Sequence, residues 1–231
     1  MVTLWIDRCI NLFKWPVAVL SLCNVWFLLL KNAELVLQTL NNRHQEFWIG
    51  LLVYLIVWRL FFASRVFGSW FPTFIHECIH VLFALVTFHR VIDFSVSWNK
   101  GGHVQYVGGV GNWVIIIAPY FFPLATLMAI ALETLFPLME KRSLILGACF
   151  GFEVMYVWRQ IHPKQIDFQL VGFPFVWLFL PGAILFGYGL LLSYLLLGFE
   201  GASTYAESVL IHSNQLIQIL MDTLHQGIQT L

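Results

Sequence analysis

The sequence predicts an all-α membrane protein: a polytopic bundle of about five or six transmembrane helices, with a short β-hairpin after the third and a C-terminal amphipathic helix. The composition supports this, because 60% of the 231 residues are hydrophobic and only 10% are charged, whereas soluble domains carry about 25% charged residues. The 22 Phe and 10 Trp are also typical of a chain that meets lipid and its two interfaces. The formal net charge of zero, without a basic block, argues against nucleic acid as a partner.

Long apolar segments recur along the chain. A bilayer core of about 30 Å needs roughly 20 apolar residues of helix. On this template the predicted spans lie near residues 15–34, 47–67, 71–89, 112–136, 142–159 and 172–198. Arg8 and Lys14 precede the first span as in a signal peptide, but no small-x-small cleavage pattern follows it. We therefore predict an uncleaved first span and one polytopic membrane domain over residues 1–198.

A different pattern lies between the third and fourth spans. Residues 91–98 and 103–107 alternate between apolar and polar side chains, on both sides of an Asn99-Lys100-Gly101-Gly102 turn. Period-two alternation around such a turn predicts a β-hairpin. Because the edge of a sheet cannot face lipid, we expect this hairpin to pack against protein or to lie at an interface.

The segment 199–231 differs from the spans that precede it. Leu, Ile and Met recur at helical spacing, with Ser, Asn, Gln, Asp and His between them. This pattern predicts an amphipathic helix of low charge. We expect the helix to lie on the membrane surface or to pack on the bundle.

The third apolar segment carries an HExxH motif, formed by His76, Glu77 and His80. On a helix the two histidines share one face, so their ring nitrogens can bind a single Zn²⁺. In such sites the glutamate is the general base that takes a proton from the attacking water. Two histidines and a glutamate in an apolar helix are costly unless they face a polar cavity or a ligand, which favours a functional site.

Catalytic zinc of this type needs a third protein ligand and one open position. The extended motif HExxHxxGxxH is excluded, because Phe83 and Val86 occupy its glycine and third-histidine positions. No glutamate occurs between Glu77 and Glu133, so a glutamate ligand shortly downstream is missing as well. The third ligand must be sought elsewhere in the chain.

The chain has four aspartates: Asp7, Asp93, Asp167 and Asp222. We expect Asp7 and Asp222 to lie near the termini, outside the bundle, and Asp93 to occupy a solvated position of the hairpin. Asp167 is flanked by later spans in a segment whose Pro163, Gly172 and Pro174 indicate irregular backbone, which is tolerated at membrane depth when protein or water surrounds it. Asp167 is therefore the predicted third ligand. The alternatives are an exposed loop carboxylate at this position and His162 as the ligand.

The HExxH motif is typical of zinc metalloproteases, and two other classes of protein compete with this interpretation. In a transporter or assembly factor, the same His, Glu and Asp side chains would handle a metal or protons. In a zinc hydrolase of another kind, the substrate would be a lipid or a different amide. A purely structural reading also exists, with the two histidines packed against neighbouring helices and Glu77 protonated or ion-paired.

The pattern resembles the site-2 protease class of intramembrane metalloproteases, the M50-like group. Three features carry the resemblance: HExxH in a membrane segment, a Gly-rich hairpin sequence after it, and an aspartate on a much later segment. It covers a metalloprotease-like core of about residues 70–175. Ile79 stands where members of the group commonly have glycine, and Phe168 follows Asp167 where they commonly have Gly. These departures describe a compact, divergent member.

The resemblance implies an intramembrane zinc metalloprotease that cleaves a membrane-protein substrate. By this likeness His76, His80 and Asp167 would be the ligands of Zn²⁺, and Glu77 the general base. The hairpin near 91–107 would pair with an unwound substrate segment by β-addition, which makes Val104, Gln105 and Tyr106 candidate substrate-binding residues. Asn112 is the fourth candidate substrate-binding residue.

An oxyanion helper is expected as well. Asn112 and His103 are the candidates, and Asn112 also suits the N-cap of a helix. The small size favours a bacterial inner membrane as the location, with the lipid bilayer as the surrounding partner.

Overall fold

The structure, a computed structural model, describes residues 2–41, 44–62, 70–97, 101–108, 111–136 and 142–229. In this part of the chain, helices dominate and one two-stranded antiparallel sheet interrupts them. The elements are α1 (Val2–Asn41), α2 (Gln45–Val57, continued by a π-helical turn at Trp58–Phe62), α3 (Trp70–Val86), β1 (Arg90–Ser97), β2 (Gly101–Val107), α4 (Trp113–Ile117, continued by a 3₁₀ turn at Ala118–Tyr120), α5 (Leu124–Leu135), α6 (Arg142–Gln160), α7 (Ile166–Val171) and α8 (Phe173–Gln229).

Two helices of the described residues are long and apolar enough to cross a membrane: α1 and the Phe173–Thr223 part of α8. A third span is obtained if α4 with its 3₁₀ turn and α5 are counted as one bent element. At 17 residues, α3 reaches about 25 Å, which is less than a bilayer core of about 30 Å. The structure therefore confirms a mostly helical chain with long apolar helices. The count of five or six transmembrane spans stays a prediction.

The hairpin is confirmed. Strands β1 and β2 pair antiparallel from Arg90 opposite Val107 to Ser97 opposite Gly101, with one irregularity between Val91 and Asp93. The predicted turn falls partly on residues 98–100, which lie outside the described residues. The hairpin packs on α3, which carries the HExxH motif.

The predicted span 112–136 is not one straight helix. Its two halves meet at 77° around residues 121–123. Pro123 lacks a backbone N–H and precedes α5, so the helix starts anew there. The carboxylate of Glu153, only 1% exposed, accepts hydrogen bonds from the backbone N–H groups of Ala125 (2.9 Å) and Thr126 (3.3 Å). Glu153 thereby satisfies the N–H groups that the break leaves open, as an apolar environment requires.

Helix α8 consists of two arms, because Leu197 and Gly198 have non-helical backbone angles. Gly198 has φ +65°, a conformation that glycine adopts without steric cost. We call residues 173–196 the first arm and residues 199–229 the second arm. The first arm packs on α1, where Ser21 donates to the carbonyl of Phe179 (2.7 Å) and Asn32 to that of Leu185 (2.7 Å).

The second arm returns along the same helix α1. Tyr205 donates to the side-chain oxygen of Asn32 (2.9 Å), and Ser213 to that of Asn24 (3.3 Å). Its apolar residues Leu210 and Ile217 are exposed on the other side, at 63% and 42%. The sequence left two positions open for this helix, on the membrane surface or packed on the bundle. In the structure it packs on the bundle. The polar contacts of Tyr205 and Ser213 hold this arm to α1, and its exposed side carries both apolar and polar residues.

Candidate metal centre

Helix α3 presents the two motif histidines on one face, as their spacing predicts. His76 is buried and His80 is largely buried, and their Nε2 atoms lie 3.1 Å apart. Helix α7 brings the third group. Asp167 lies in its first turn, and Asp167 Oδ2 is 3.4 Å from His76 Nε2 and 3.8 Å from His80 Nε2. Residues that are 87 and more positions apart in the sequence therefore converge on one point.

His76, His80 and Asp167 form the group of possible metal ligands within the described residues. Tetrahedral coordination with bonds of about 2.0–2.1 Å separates donor atoms by about 3.3 Å. The three separations above bracket this value. His162 is exposed in the loop before α7 and is not part of the group. Between the two sequence-based alternatives, the structure thus brings Asp167, and not His162, to the histidines.

The hydrogen bonds around the centre define where electron pairs point. His80 Nδ1 lies 2.8 Å from the carbonyl oxygen of Ile115. Because a carbonyl only accepts, this nitrogen carries the ring proton, which leaves Nε2 of a neutral ring with a lone pair. That lone pair faces the carboxylate of Asp167 and the Nε2 of His76. Either a proton on His76 Nε2 or a cation between these atoms satisfies their electron pairs, and the donor set of two imidazoles and a carboxylate suits Zn²⁺.

Two tyrosines hold the other ligands. The hydroxyl of Tyr120 donates to Asp167 Oδ2 at 2.7 Å, and the hydroxyl of Tyr156 lies 3.1 Å from His76 Nδ1. Both tyrosines are buried, at 0% and 3%. Partners of this kind orient the ligands of a metal and tune their basicity. Sequence reasoning missed both, since neither lies in a motif or at a recognisable spacing from the histidines.

Glu77 is buried between α3 and the hairpin. A Cβ atom built on Gly102 of β2 would lie 2.6 Å from Glu77 Cγ and 2.9 Å from its Oε1. Strand β2 therefore approaches the glutamate closely only because residue 102 has no side chain. Gly101-Gly102 was predicted from the sequence as part of a turn, and the structure adds this contact.

The predicted substrate-binding residues Val104, Gln105 and Tyr106 follow Gly102 along β2. Val104 and Tyr106 are half-buried on the strand face that Gly102 shares, whereas Gln105 is exposed on the other face. His103 Nε2 lies 2.9 Å from Asp93 Oδ2, and both side chains are exposed. The exposure of Asp93 confirms the solvated position expected for it.

Asn112 lies outside the hairpin, at the N-terminus of α4. It is fully buried and caps α4, since its Oδ1 accepts the N–H of Ile115 at 3.4 Å. Its Nδ2 donates to Asp7 Oδ1 at 2.8 Å. The geometry favours the N-cap role over that of an oxyanion helper. The expectation that Asp7 lies outside the bundle is wrong, because Asp7 is only 7% exposed and joins α1 to this cap.

The chain is mostly helical, a hairpin packs beside its HExxH helix, and an aspartate distant in sequence lies against the two histidines. This arrangement is the one expected of a membrane metallopeptidase. The family model described as Peptidase M50B-like matches residues 47–198, about two-thirds of the chain. The chain belongs to the Peptidase M50B-like family. This membership indicates membrane metalloprotease activity, and M50 peptidases generally use zinc. No curated protein and no solved structure matches the chain.

Proposed function

We propose that the chain is an intramembrane zinc metalloprotease that hydrolyses a peptide bond of a membrane-protein substrate. The observation that carries the proposal is the convergence of His76 Nε2, His80 Nε2 and Asp167 Oδ2 on one point. Three protein ligands leave a fourth tetrahedral position open, which is the coordination of catalytic rather than structural zinc. All three ligands would come from α3 and α7.

When bound there, zinc would polarise the scissile carbonyl and lower the pKa of the attacking water towards about 7. The residues of the chain supply the proton transfers. Glu77 directly follows the ligand His76 and would take the proton of the water as general base. It would then return this proton to the nitrogen of the leaving amine. Burial of Glu77 under β2 keeps other water from the carboxylate.

The hairpin is the proposed place for the substrate. A transmembrane helix hides its peptide bonds in its own hydrogen bonds, so a substrate segment must be unwound before it can be cleaved. An extended segment can pair with the edge of a strand by β-addition. Strand β2 lies against Glu77 through Gly102, so a segment held beside Val104, Gln105 and Tyr106 would lie close to the general base.

The test combines zinc content with cleavage. Wild type, Glu77→Gln, Asp167→Ala and the control Asp222→Ala are purified without chelator, and zinc per chain is measured by elemental analysis. We expect one zinc in wild type, Glu77→Gln and Asp222→Ala, and a loss of zinc in Asp167→Ala. Asp222 is a suitable control because it is an exposed carboxylate on the second arm of α8, outside the metal centre and the hairpin.

Cleavage is read from new N-termini, quantified by mass spectrometry in membranes of cells that express each variant. We expect membrane-protein fragments with wild type and Asp222→Ala and none with Glu77→Gln or Asp167→Ala. A wild type that takes up no zinc would refute the proposal. Zinc uptake without any cleavage that depends on Glu77 would support the competing class, a membrane protein that handles metal or protons.

A further inference from the structure

A buried polar cluster joins α1 to the elements around the centre. Asp7 of α1 accepts the hydrogen bond from Asn112 with Oδ1, and its Oδ2 lies 3.2 Å from His89 Nε2. His89 is 1% exposed and its Nδ1 lies 2.9 Å from the hydroxyl of Thr87. Both carboxylate oxygens of Asp7 are therefore engaged, as a carboxylate in an apolar interior requires.

The cluster continues to the ligand His80 through three hydrogen bonds. Asn112 Nδ2 donates to Asp7 at 2.8 Å, Asn112 Oδ1 accepts the N–H of Ile115 at 3.4 Å, and the carbonyl of Ile115 accepts from His80 Nδ1 at 2.8 Å. Asn112 and Ile115 are both fully buried, so water does not compete for these bonds. Because Ile115 supplies the carbonyl that fixes the His80 ring, any shift of the first turn of α4 changes the direction of the ring.

Helix α1 contacts the neighbourhood of the centre at two more places. Trp113, the first residue of α4, donates from its ring nitrogen to the carbonyl of Ile10 at 2.8 Å. Lys14 donates to the carbonyl of Val171 at 2.8 Å, at the end of the helix that carries Asp167. The first half of α1 thus holds both α4 and α7, although α1 precedes the residues 47–198 that match the family.

We propose that Asp7 is a positioning residue of the metal centre, which fixes the orientation of His80 through Asn112 and the first turn of α4. Asp7 itself does not contact the metal. The proposal rests on the proposed function only in that the centre binds zinc. Partners one step removed from a metal typically change its affinity by about 10–100-fold; the Ile115 carbonyl holds that place on His80, and Asp7 acts two steps further out, through Asn112.

The test measures the Kd for zinc of purified protein in detergent, by competition with a chromogenic chelator. We expect Asp7→Ala and Asn112→Ala each to raise the Kd about ten-fold. Since both act through the same chain of bonds, the double variant should bind no more weakly than the weaker single variant. Asp7→Asn keeps an oxygen that can accept from Asn112, and it should restore most of the affinity. Asp222→Ala, at an exposed carboxylate of the second arm, is the control and should leave the Kd unchanged.

The outcomes separate this inference from the proposed function. If wild type binds zinc and Asp7→Ala binds it equally tightly, the inference fails alone, and a lower melting temperature would then mark Asp7 as purely structural. Losses that multiply in the double variant would also overturn it, because independent effects add in free energy. A wild type that binds no zinc overturns both. If Asp7→Ala does not fold, Asn112→Ala takes its place, because it breaks the same chain of bonds; an unchanged Kd in that variant would overturn the inference.

Discussion

The hydroxyl of Tyr120 donates a 2.7 Å hydrogen bond to Asp167 Oδ2, the carboxylate oxygen that faces both histidines. Tyr120 ends the 3₁₀ turn that continues α4, and its ring packs at 4.5 Å on that of Phe168, the residue after Asp167. Tyr120 thus contacts the Asp167 carboxylate through a hydrogen bond and the neighbouring Phe168 through its ring. The centre depends on this turn as much as on α7.

Tyr120→Phe should weaken zinc binding while leaving the fold intact. The substitution removes the hydroxyl and keeps the ring, so Asp167 loses its orienting donor and no cavity forms. We expect a Kd for zinc that is about ten-fold higher, measured by chelator competition. The control is Tyr188→Phe, because Tyr188 packs on Phe150 in a different apolar cluster. An equal effect in both variants would show that the loss comes from general destabilisation.

Gly102→Ala should abolish most cleavage and leave zinc in place. A methyl group at residue 102 would lie 2.6 Å from Glu77 Cγ, so either the glutamate or the strand must move. A displacement of about 1 Å costs roughly 100-fold in rate when the displaced group is catalytic. The appearance of substrate fragments gives the rate, and elemental analysis gives the zinc content.

Gly187→Ala is the matched control for Gly102→Ala, since its new Cβ would meet the nearest atom at 3.4 Å, an ordinary contact. The backbone of Gly102 lies outside the left-handed region, so alanine introduces no backbone strain there. Full cleavage by Gly102→Ala would show that Glu77 is not positioned by the hairpin.

Local patterns predicted the parts of the centre that one element builds alone. His76 and His80 share a face because helical periodicity places residues four apart together, and the hairpin follows from its alternation. Asp167 was predicted from the few aspartates of the chain and the irregular backbone around it. Its approach to the histidines is tertiary and needed the structure.

The partners that orient the ligands could not be predicted in this way. Tyr120 and Asp167 are 47 residues apart, and Asn112 and Asp7 are 105 apart. No periodicity links such positions. Asp7 was expected outside the bundle because terminal residues are commonly exposed, but α1 continues to Val2 and carries Asp7 into the protein. The break at Pro123 was missed as well, although a proline inside an apolar run is a sequence signal for a bend or a new helix start.

Glu153→Ala should destabilise the protein. Its carboxylate accepts two backbone N–H groups at the start of α5, and both would be left without an acceptor in an apolar environment. We expect the free energy of unfolding to fall by about 2 kcal/mol, as for a lost helix cap or a lost charged hydrogen bond. Thermal unfolding in detergent measures the effect. Glu153→Gln retains an oxygen acceptor and should lose less.

The comparison for Glu153 is Glu34→Ala, which removes an exposed glutamate paired with Lys31. Exposed ion pairs contribute little, so its unfolding temperature should stay at the wild-type value. Equal stability of Glu153→Ala and wild type would mean that water or another group caps α5.

A cysteine pair at residues 24 and 213 should form a disulfide bond within one chain. The side chains of Asn24 and Ser213 approach to 3.3 Å, where the second arm of α8 lies along α1. In a background without the four native cysteines, mild oxidation should give a crosslink that mass spectrometry identifies. The pair Asn24→Cys and Asn214→Cys is the control, because Asn214 is exposed beside Ser213. If the second arm instead lay on the membrane surface away from α1, neither pair would crosslink. A crosslink of the 24–213 pair alone would therefore show that the face of this arm that carries Ser213 lies against α1.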